Sequence, residues 1–113
     1  MKPLYHPAPE DIQLTTVLYA LSDPVRLNLV IQILEVGEQA CGDYQIPVAK
    51  STMSHHVKTL REAGIVNTRI HGTQRLLSIR KKDLEARFPG LLDAVIGGAV
   101  RTGALPVTGS SGE

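Results

Sequence analysis

The segment most informative about the fold is residues 51–66, which read STMSHHVKTLREAGIV. Three apolar residues in it recur at spacings of four and three: Met53, Val57 and Leu60. This spacing predicts a helix over residues 50–63 with one narrow buried stripe. Gly64 suits the left-handed position that commonly ends a helix, and Ile65 begins an extended segment.

The opposite side of this predicted helix is polar and basic. Its residues are Lys50, Ser51, Thr52, Ser54, His55, His56, Lys58, Thr59 and Arg61. The major groove of DNA presents acceptors, amino donors and thymine methyl groups, and phosphates line its rims. Hydroxyl and imidazole groups can contact base edges, whereas Lys and Arg neutralise phosphates. Because a polar helix face is usually only solvated, the helix alone leaves DNA binding and a solvated surface both open.

A basic β-hairpin is predicted directly after this helix, over residues 65–80. Two extended segments flank the loop His71-Gly72-Thr73, which contains the glycine that a tight hairpin turn favours. Basic residues border the loop and follow the hairpin: Arg69, Arg75, Arg80, Lys81 and Lys82. A basic hairpin beside a basic helix favours a nucleic-acid partner over a solvated face.

Further helices are predicted on both sides of this region. Residues 10–21 and about 24–36 show helical spacing, and Gly37 ends the second helix. Their junction carries residues suited to helix caps and first turns: Ser22, Asp23 and Pro24. Residues 38–48 predict only a short helix or turn. Downstream, Asp83 is a candidate cap for a helix over 84–97, which Pro89-Gly90 should interrupt.

The order of these elements is that of a winged helix-turn-helix, a mainly α fold with a small β-hairpin (α+β). The chain divides into a predicted flexible N-terminal arm over residues 1–9, one folded domain over 10–97 and a mobile C-terminal tail over 98–113. Its 113 residues suit a single core, and no membrane-spanning run or secretory leader is evident. The single cysteine excludes an internal disulfide, so a cytoplasmic location is expected.

The formal net charge of +1 conceals a strong charge asymmetry. Residues 1–48 carry two basic and six acidic side chains, and residues 83–113 carry two basic and four acidic ones. Residues 49–82 carry eight basic side chains and one acidic one, a net charge of +7. Since binding to DNA responds to local charge, the helix and the hairpin form the predicted DNA surface.

Two motifs in the chain resemble the ArsR-type family of winged-helix regulators. Residues 20–27, ALSDPVRL, look like that family's ALADPTRL, and residues 51–66 resemble its STVSHHLKVLREAGLV almost position by position. Gly72-Thr73 with Arg75 resembles its wing, often REGR. The resemblance covers residues 12–96 and implies a homodimeric transcriptional regulator, usually a repressor that is released from double-stranded DNA by an inducer.

The resemblance also implies how such a protein binds DNA. Family dimers pack through the first and last helices, here about 10–21 and 84–97, so two recognition helices would read a near-palindromic operator. The implied DNA contacts are Ser51, Thr52, Ser54, His55 and Lys58 on the helix, with Arg69, Gly72 and Arg75 on the wing. Lys50, His56 and Thr73 complete the predicted DNA-binding set. One of the two adjacent histidines also suits the edge of the core or the hairpin.

The resemblance implies metal sites whose ligands this sequence lacks. The family's thiol site is a Cys-x-Cys near the third helix, and the matching positions here are Ala40 and Gly42, with Cys41 between them. The other common site uses Asp and His on the last helix, and residues 83–97 contain no histidine. We therefore expect no metal site of the family type, no cofactor, and an inducer of another kind.

Two alternatives to this interpretation stay open. Cys41 could sense oxidants through an intersubunit disulfide, although a structural, half-buried thiol is the plainer interpretation. A winged-helix protein-interaction module would favour exposed aromatic residues on the helix, and this helix has none. An enzyme is not expected, because no nucleophile, base and orienting group can be assigned together.

One departure from the family pattern lies just before the recognition helix. The segment from Asp43 to Ser51 is shorter than in the family's metal sensors and contains Pro47. Ala49 stands where the family usually has a serine cap, a loss of about 1 kcal/mol unless another group substitutes. The first helix of the helix-turn-helix is therefore expected to be short or distorted.

Overall fold

The computed structural model describes residues 4–102, which form five α-helices and three β-strands. These elements are α1 (Leu14–Leu21), α2 (Pro24–Val36), β1 (Gln39–Ala40), α3 (Lys50–Glu62), β2 (Val66–His71), β3 (Gln74–Ile79), α4 (Lys81–Arg87) and α5 (Leu91–Thr102). Short 3-10 turns cover Pro9–Asp11 and Cys41–Asp43. The predicted fold class is confirmed, and the expected first helix of the helix-turn-helix is reduced to the second of these turns.

The corner between α1 and α2 follows the predicted cap chemistry. Asp23 is the N-cap of α2, where its Oδ2 accepts a hydrogen bond from the backbone nitrogen of Arg26 at 3.0 Å, and Pro24 occupies the first turn. Gly37 ends α2 with a φ of 83°, a left-handed conformation that favours glycine. The start of α1 differs from the prediction, because residue 12 has extended backbone and the helix begins only at Leu14.

This break in the first helix lets Ile12 enter the core. Ile12 is 1% exposed and packs against Gly64, which ends α3 with a φ of 88°. A Cβ at Gly64 would lie 2.6 Å from Cγ1 of Ile12. Glycine is therefore required at this position for its conformation and for its size. The contact joins the end of the predicted recognition helix to the N-terminal segment.

The sheet has the strand order β1-β3-β2, and both pairings are antiparallel. Strands β2 and β3 form the predicted hairpin, in which His71 pairs with Gln74 and leaves Gly72-Thr73 as a two-residue turn. Gly72 has a φ of 63° and Thr73 does not have a positive φ, as in a type II′ turn. The loop is thus one residue shorter than predicted.

The sequence did not predict β1, a two-residue strand that pairs with β3 through Gln39 and Leu77. A strand this short has no periodicity, so tertiary contacts define it. The hydroxyl of Tyr44 donates to the carbonyl of Gly37 at 2.7 Å and accepts from the nitrogen of Gln39 at 2.9 Å. Tyr44 is itself buried, and its hydroxyl links the start of the strand to the end of α2.

One aliphatic core joins α1, α2, α3 and the sheet. Its fully buried large side chains are Ile12, Leu29, Leu60, Ile65, Leu77, Val17, Val30 and Val66. The predicted stripe of α3 belongs to it, since Met53, Val57 and Leu60 are all buried. Burial of this stripe fixes which side of α3 faces outward.

The C-terminal helices agree with the prediction in number and differ in detail. Gly90, with a φ of 80°, separates α4 from α5, as expected from Pro89-Gly90. Asp83 is not the helix cap, because α4 begins at Lys81 and the N-cap position is Arg80. Asp83 instead accepts hydrogen bonds from the guanidinium of Arg80 at 3.0 Å. The last helix continues to Thr102, beyond the predicted boundary at 97, because Ala99 remains packed at 7% exposure.

The two predicted terminal segments are only partly described. Residues 1–3 of the arm and residues 103–113 of the tail lie outside the described residues. Residues 4–8 of the arm are irregular, and two of them are hydrogen-bonded to the domain. Nε of Arg61 donates to the carbonyl of Tyr5 at 3.1 Å, and the backbone nitrogen of Thr68 donates to Nε2 of His6 at 3.0 Å. In residues 4–102, no single helix is long and apolar enough to cross a membrane; α1 and α2 together reach the required length and composition, but a 97° bend separates them.

Candidate nucleic-acid interface

Helix α3 is positioned by a polar contact as well as by its buried stripe. Buried Gln32 on α2 donates to the carbonyl of Gln45 at 2.9 Å and accepts from the nitrogen of the same residue at 2.8 Å. This reciprocal pair holds the segment that leads into α3. The helix then starts after Ala49, which provides no side-chain cap, so the first backbone N–H groups are left for solvent or a ligand.

Six of the predicted DNA-binding residues form an open surface on α3. They are Lys50, Ser51, Thr52, Ser54, His55 and Lys58, all exposed. Their side chains make no hydrogen bond to any residue in the described part of the chain. The set combines hydroxyl and imidazole groups with two cations. Lys50, Ser51 and Thr52 lie in the first turn of α3, where the helix dipole favours anions. This arrangement can contact base edges and phosphates together.

His56 is arranged differently from its neighbour His55. It is half-buried, and its Nδ1 lies 3.2 Å from Nη1 of Arg26 on α2. Burial lowers the pKa of His56, with Arg26 and His55 adding to that effect, while Asp23 opposes it. His56 therefore corresponds to the histidine that covers the edge of the core, one of the two roles considered from the sequence.

The tip of the hairpin is an exposed wing. Gly72, Thr73 and Arg75 are all exposed, and Arg75 pairs across the hairpin with Ile70 in the strand register. No hydrogen bond or ion pair engages the Arg75 guanidinium within the described residues. The wing therefore presents one free cation beside a turn that has little steric bulk.

Arg69, which was predicted to contact DNA, is held in an ion pair within the protein. Its Nη2 lies 2.8 Å from Oε1 of Glu38, and its Nε donates to Oε2 at 3.3 Å. The hydrogen bond from Arg69 holds the pKa of the Glu38 carboxyl below its usual range, and the same contact raises the pKa of Arg69. Sequence reasoning missed Glu38, because 31 residues separate it from Arg69 and the strand that brings it close has no sequence pattern.

The basic segment is consequently less cationic toward solvent than its formal charge. Arg61 is buried and bonded to the carbonyl of Tyr5, Arg69 pairs with Glu38, and Arg80 pairs with Asp83. The exposed basic residues without such a partner in the described chain are Lys50, Lys58, Arg75, Lys81 and Lys82. The first two lie on α3, the third lies on the wing, and the last two begin α4 just after the hairpin.

Cys41 lies in a 3-10 turn and is half-buried. Burial raises the pKa of its thiol, and this effect exceeds the opposing influence of Arg75. A raised pKa leaves little thiolate at neutral pH, and the thiolate is the form that reacts with oxidants and binds metals. Within residues 4–102 there is no group of three or more His, Cys, Asp or Glu side chains that could hold a metal ion.

Comparisons with known proteins show that this chain is similar to transcriptional regulators. No family model matches the chain. It is 33% identical over 82 residues to an uncharacterized HTH-type transcriptional regulator, YceK, of Bacillus subtilis, covering 70% of this chain and 82% of that protein. It is 32% identical over 75 residues to the arsenical resistance operon repressor of Staphylococcus xylosus, covering 65% and 71% respectively.

A solved structure gives the same result. The transcriptional repressor BigR from Xylella fastidiosa superimposes with a TM-score of 0.59 and 35% sequence identity. The superposition covers 74% of this chain and 83% of that chain.

Proposed function

Because this chain belongs to the ArsR-type family of winged helix-turn-helix transcriptional regulators, we propose that it is a repressor that binds double-stranded DNA. Two of the similar proteins, from Staphylococcus xylosus and Xylella fastidiosa, are named as repressors. The observation that carries the proposal is the continuous set of six unpaired polar and cationic side chains on α3, next to the exposed wing. Such a surface has hydrogen-bonding groups for bases and charge for phosphates.

The proposed contacts divide into two chemical classes. Ser51, Thr52, Ser54 and His55 read base edges in the major groove, because their side chains are short and can donate or accept hydrogen bonds. Lys50 and Lys58 bind phosphates, as does Arg75, while Gly72 and Thr73 allow close approach of the wing backbone. Arg69 can bind a phosphate only if its ion pair with Glu38 breaks.

A homodimer is the proposed binding unit. Leu14 and Leu18 are each 43% exposed on one side of α1, and Val100 on α5 is 64% exposed. Apolar side chains on two separate helices support burial against a second copy of the chain. A two-fold dimer places two α3 helices about one DNA turn apart, so the operator would be a near-palindrome.

The inducer is proposed to be something other than a metal held at the family's usual sites. Ala40 and Gly42 cannot ligate a soft metal through their side chains, and Cys41 is a single thiol with a raised pKa. We propose no catalytic activity, since the similar proteins are named as transcriptional regulators. A cytoplasmic location stays a prediction.

Selection from a random-sequence DNA library with the purified chain tests the proposal. We expect enrichment of a near-palindromic site, and fluorescence anisotropy on that duplex should show affinity that falls steeply with salt. Sedimentation of the free protein at micromolar concentration should give a dimer. No enrichment together with salt-insensitive binding would contradict the proposed function and would favour a protein-interaction module.

A redox-sensing repressor is the second candidate, and Cys41 alone supports it. The matched variant is Cys41→Ser, which removes the thiol and keeps a small side chain. We expect oxidant to change operator binding of the parent and the variant equally. An oxidant response that only the parent shows would overturn this expectation and establish Cys41 as the sensor.

A further inference from the structure

We propose that Arg26 is a positioning residue for DNA recognition, which fixes His56 on α3 as an outward hydrogen-bond donor. The inference rests on the proposed function, because it concerns how the same helix reads DNA. It adds a residue on α2, outside the DNA-binding surface, and assigns one protonation form to one imidazole.

Arg26 is almost completely occupied by contacts that hold its guanidinium in one place. The residue is 7% exposed, its Nε donates to the carbonyl of Ala20 at 2.7 Å, and its Nη2 donates to the carbonyl of Tyr19 at 3.4 Å. The Tyr19 ring lies 5.4 Å from the guanidinium carbon. The remaining Nη1 lies 3.2 Å from Nδ1 of His56.

The chemistry of this last contact determines the tautomer of His56. Arginine has only donors and remains charged in proteins, so Nδ1 of His56 must be the acceptor and cannot carry a proton. A neutral imidazole with an unprotonated Nδ1 carries its proton on Nε2. Protonation of both nitrogens would place an N–H and a positive charge directly against Arg26.

The charged groups around His56 support the neutral form. Arg26 lies in the first turn of α2, and His55 directly precedes His56 on α3; both disfavour a positive charge on His56. The Asp23 carboxylate acts in the opposite direction. Asp23 is partly committed elsewhere, since it accepts the hydrogen bond that caps α2. Burial, together with Arg26 and His55, holds the pKa of His56 below its usual value.

The Nε2 side of the ring is available to a ligand. Nε2 has no hydrogen-bond partner within the described residues, and it is not among the buried polar atoms that lack one. Helical side chains incline toward the N-terminus, so His56 lies over the turn that carries Thr52, at the edge of the open surface of α3. A group that can only donate selects acceptors, namely purine N7, guanine O6, thymine O4 or a phosphate oxygen.

The tautomer can be measured without DNA. Long-range proton–nitrogen NMR spectra of the purified protein at pH 7.5 should show an unprotonated Nδ1 and a protonated Nε2 for His56. In Arg26→Gln, the ring should populate both tautomers, because the glutamine amide can either donate to Nδ1 or accept from it. The titration midpoint of His56 should rise, because a neighbouring positive charge has been removed. A parent His56 with a protonated Nδ1 would overturn the role of Arg26 whether or not the variant folds.

Two replacements of His56 distinguish the role of Nδ1, which faces Arg26, from the role of Nε2, which faces outward. His56→Asn places an acceptor near the position of Nδ1 and lacks the outward donor, so thermal stability should be retained while affinity for the selected operator duplex falls about tenfold. His56→Gln keeps a distal amide near the position of Nε2 and lacks the inward acceptor, so stability should fall and affinity should decrease less. Parental operator affinity in His56→Asn would overturn the outward role.

The proposed function and the role of Arg26 are tested by different outcomes. If the parent has the expected tautomer but selects no DNA site, both the proposed function and the DNA role of His56 are wrong. If the parent selects a site but its His56 carries the proton on Nδ1, only the inference about Arg26 is wrong.

Discussion

Helix α3 and the hairpin carry similar basic sequences, yet the structure uses their cations differently. On α3, Lys50 and Lys58 are exposed and unpaired in the described chain, and short polar side chains lie between them. On the hairpin, Arg69 is bound to Glu38 at 2.8 Å, which leaves Arg75 as the free cation of the wing. Formal charge along the chain therefore overestimates the positive charge that the wing can offer to DNA, because the fold brings Glu38 to Arg69 as a counter-ion.

The largest expected effect is on stability and concerns Gly64, which connects α3 to the hairpin. Gly64→Ala should lower the free energy of unfolding by about 1–3 kcal/mol, because alanine is strained in the left-handed backbone of this position and its Cβ would overlap Ile12. Chemical denaturation of both proteins measures the change. Gly42→Ala is the matched control, since nothing lies within 4 Å of a Cβ there. Equal stability of the two variants would show that the α3–hairpin junction is not constrained as described.

The next effect tests whether α3 reads sequence. Ser54→Ala should reduce affinity for the selected operator by about 1–3 kcal/mol, the range for a lost base contact, and should leave binding to unrelated duplexes unchanged. Anisotropy titrations on both duplexes make the comparison. Ser78→Ala on β3 is the control of the same chemistry away from the interface. A Ser54→Ala protein that binds both duplexes like the parent would remove Ser54 from the recognition set.

A smaller and less sequence-specific effect on DNA affinity is expected from Lys58, one of the two exposed cations of α3. Lys58→Ala should weaken binding to every duplex and reduce the dependence of log affinity on log salt by about one unit, since one phosphate contact is lost. Titrations at several salt concentrations give this slope. An unchanged slope, or a loss confined to the operator, would mean that Lys58 does not act on phosphates.

The smallest effect separates the two arginines of the wing. Arg75→Ala should reduce the salt slope, whereas Arg69→Ala should leave it nearly unchanged, because Glu38 already neutralises Arg69. In Glu38→Gln, the contribution of Arg69 should become measurable, and a double-mutant cycle isolates it. Equal losses from Arg69→Ala and Arg75→Ala in the parent would show that DNA displaces Glu38 without cost.

The same ion pair has a defined dependence on pH. The pKa of Glu38 is lowered in the folded protein, so the pair is intact above the usual glutamate range and is lost as pH falls through the lowered value. We therefore expect Arg69 to stay paired throughout neutral conditions. A carboxyl titration followed by NMR would contradict this if Glu38 protonated at its ordinary pH.

Much of the architecture was predictable from local patterns. The stripe of Met53, Val57 and Leu60, the glycine at position 64 and the break at Pro89-Gly90 all act through neighbouring residues, and each is confirmed. Predictions failed where a distant contact decides the outcome. Ile12 leaves the first helix because Gly64, far along the chain, offers it space. The cap prediction at Asp83 failed for a local reason, because its carboxylate binds Arg80 three residues earlier.

The candidate interface shows the same division. Periodicity alone separated the buried stripe of α3 from its outward donors, because a helix of regular pitch assigns each residue to a side. The pairing of Arg69 with Glu38 and of Arg26 with His56 required the fold, since these partners are 31 and 30 residues apart. Sequence therefore identified which side chains could contact DNA. Tertiary structure decided which of them are free to do so, because counter-ions and hydrogen-bond partners arrive from other elements.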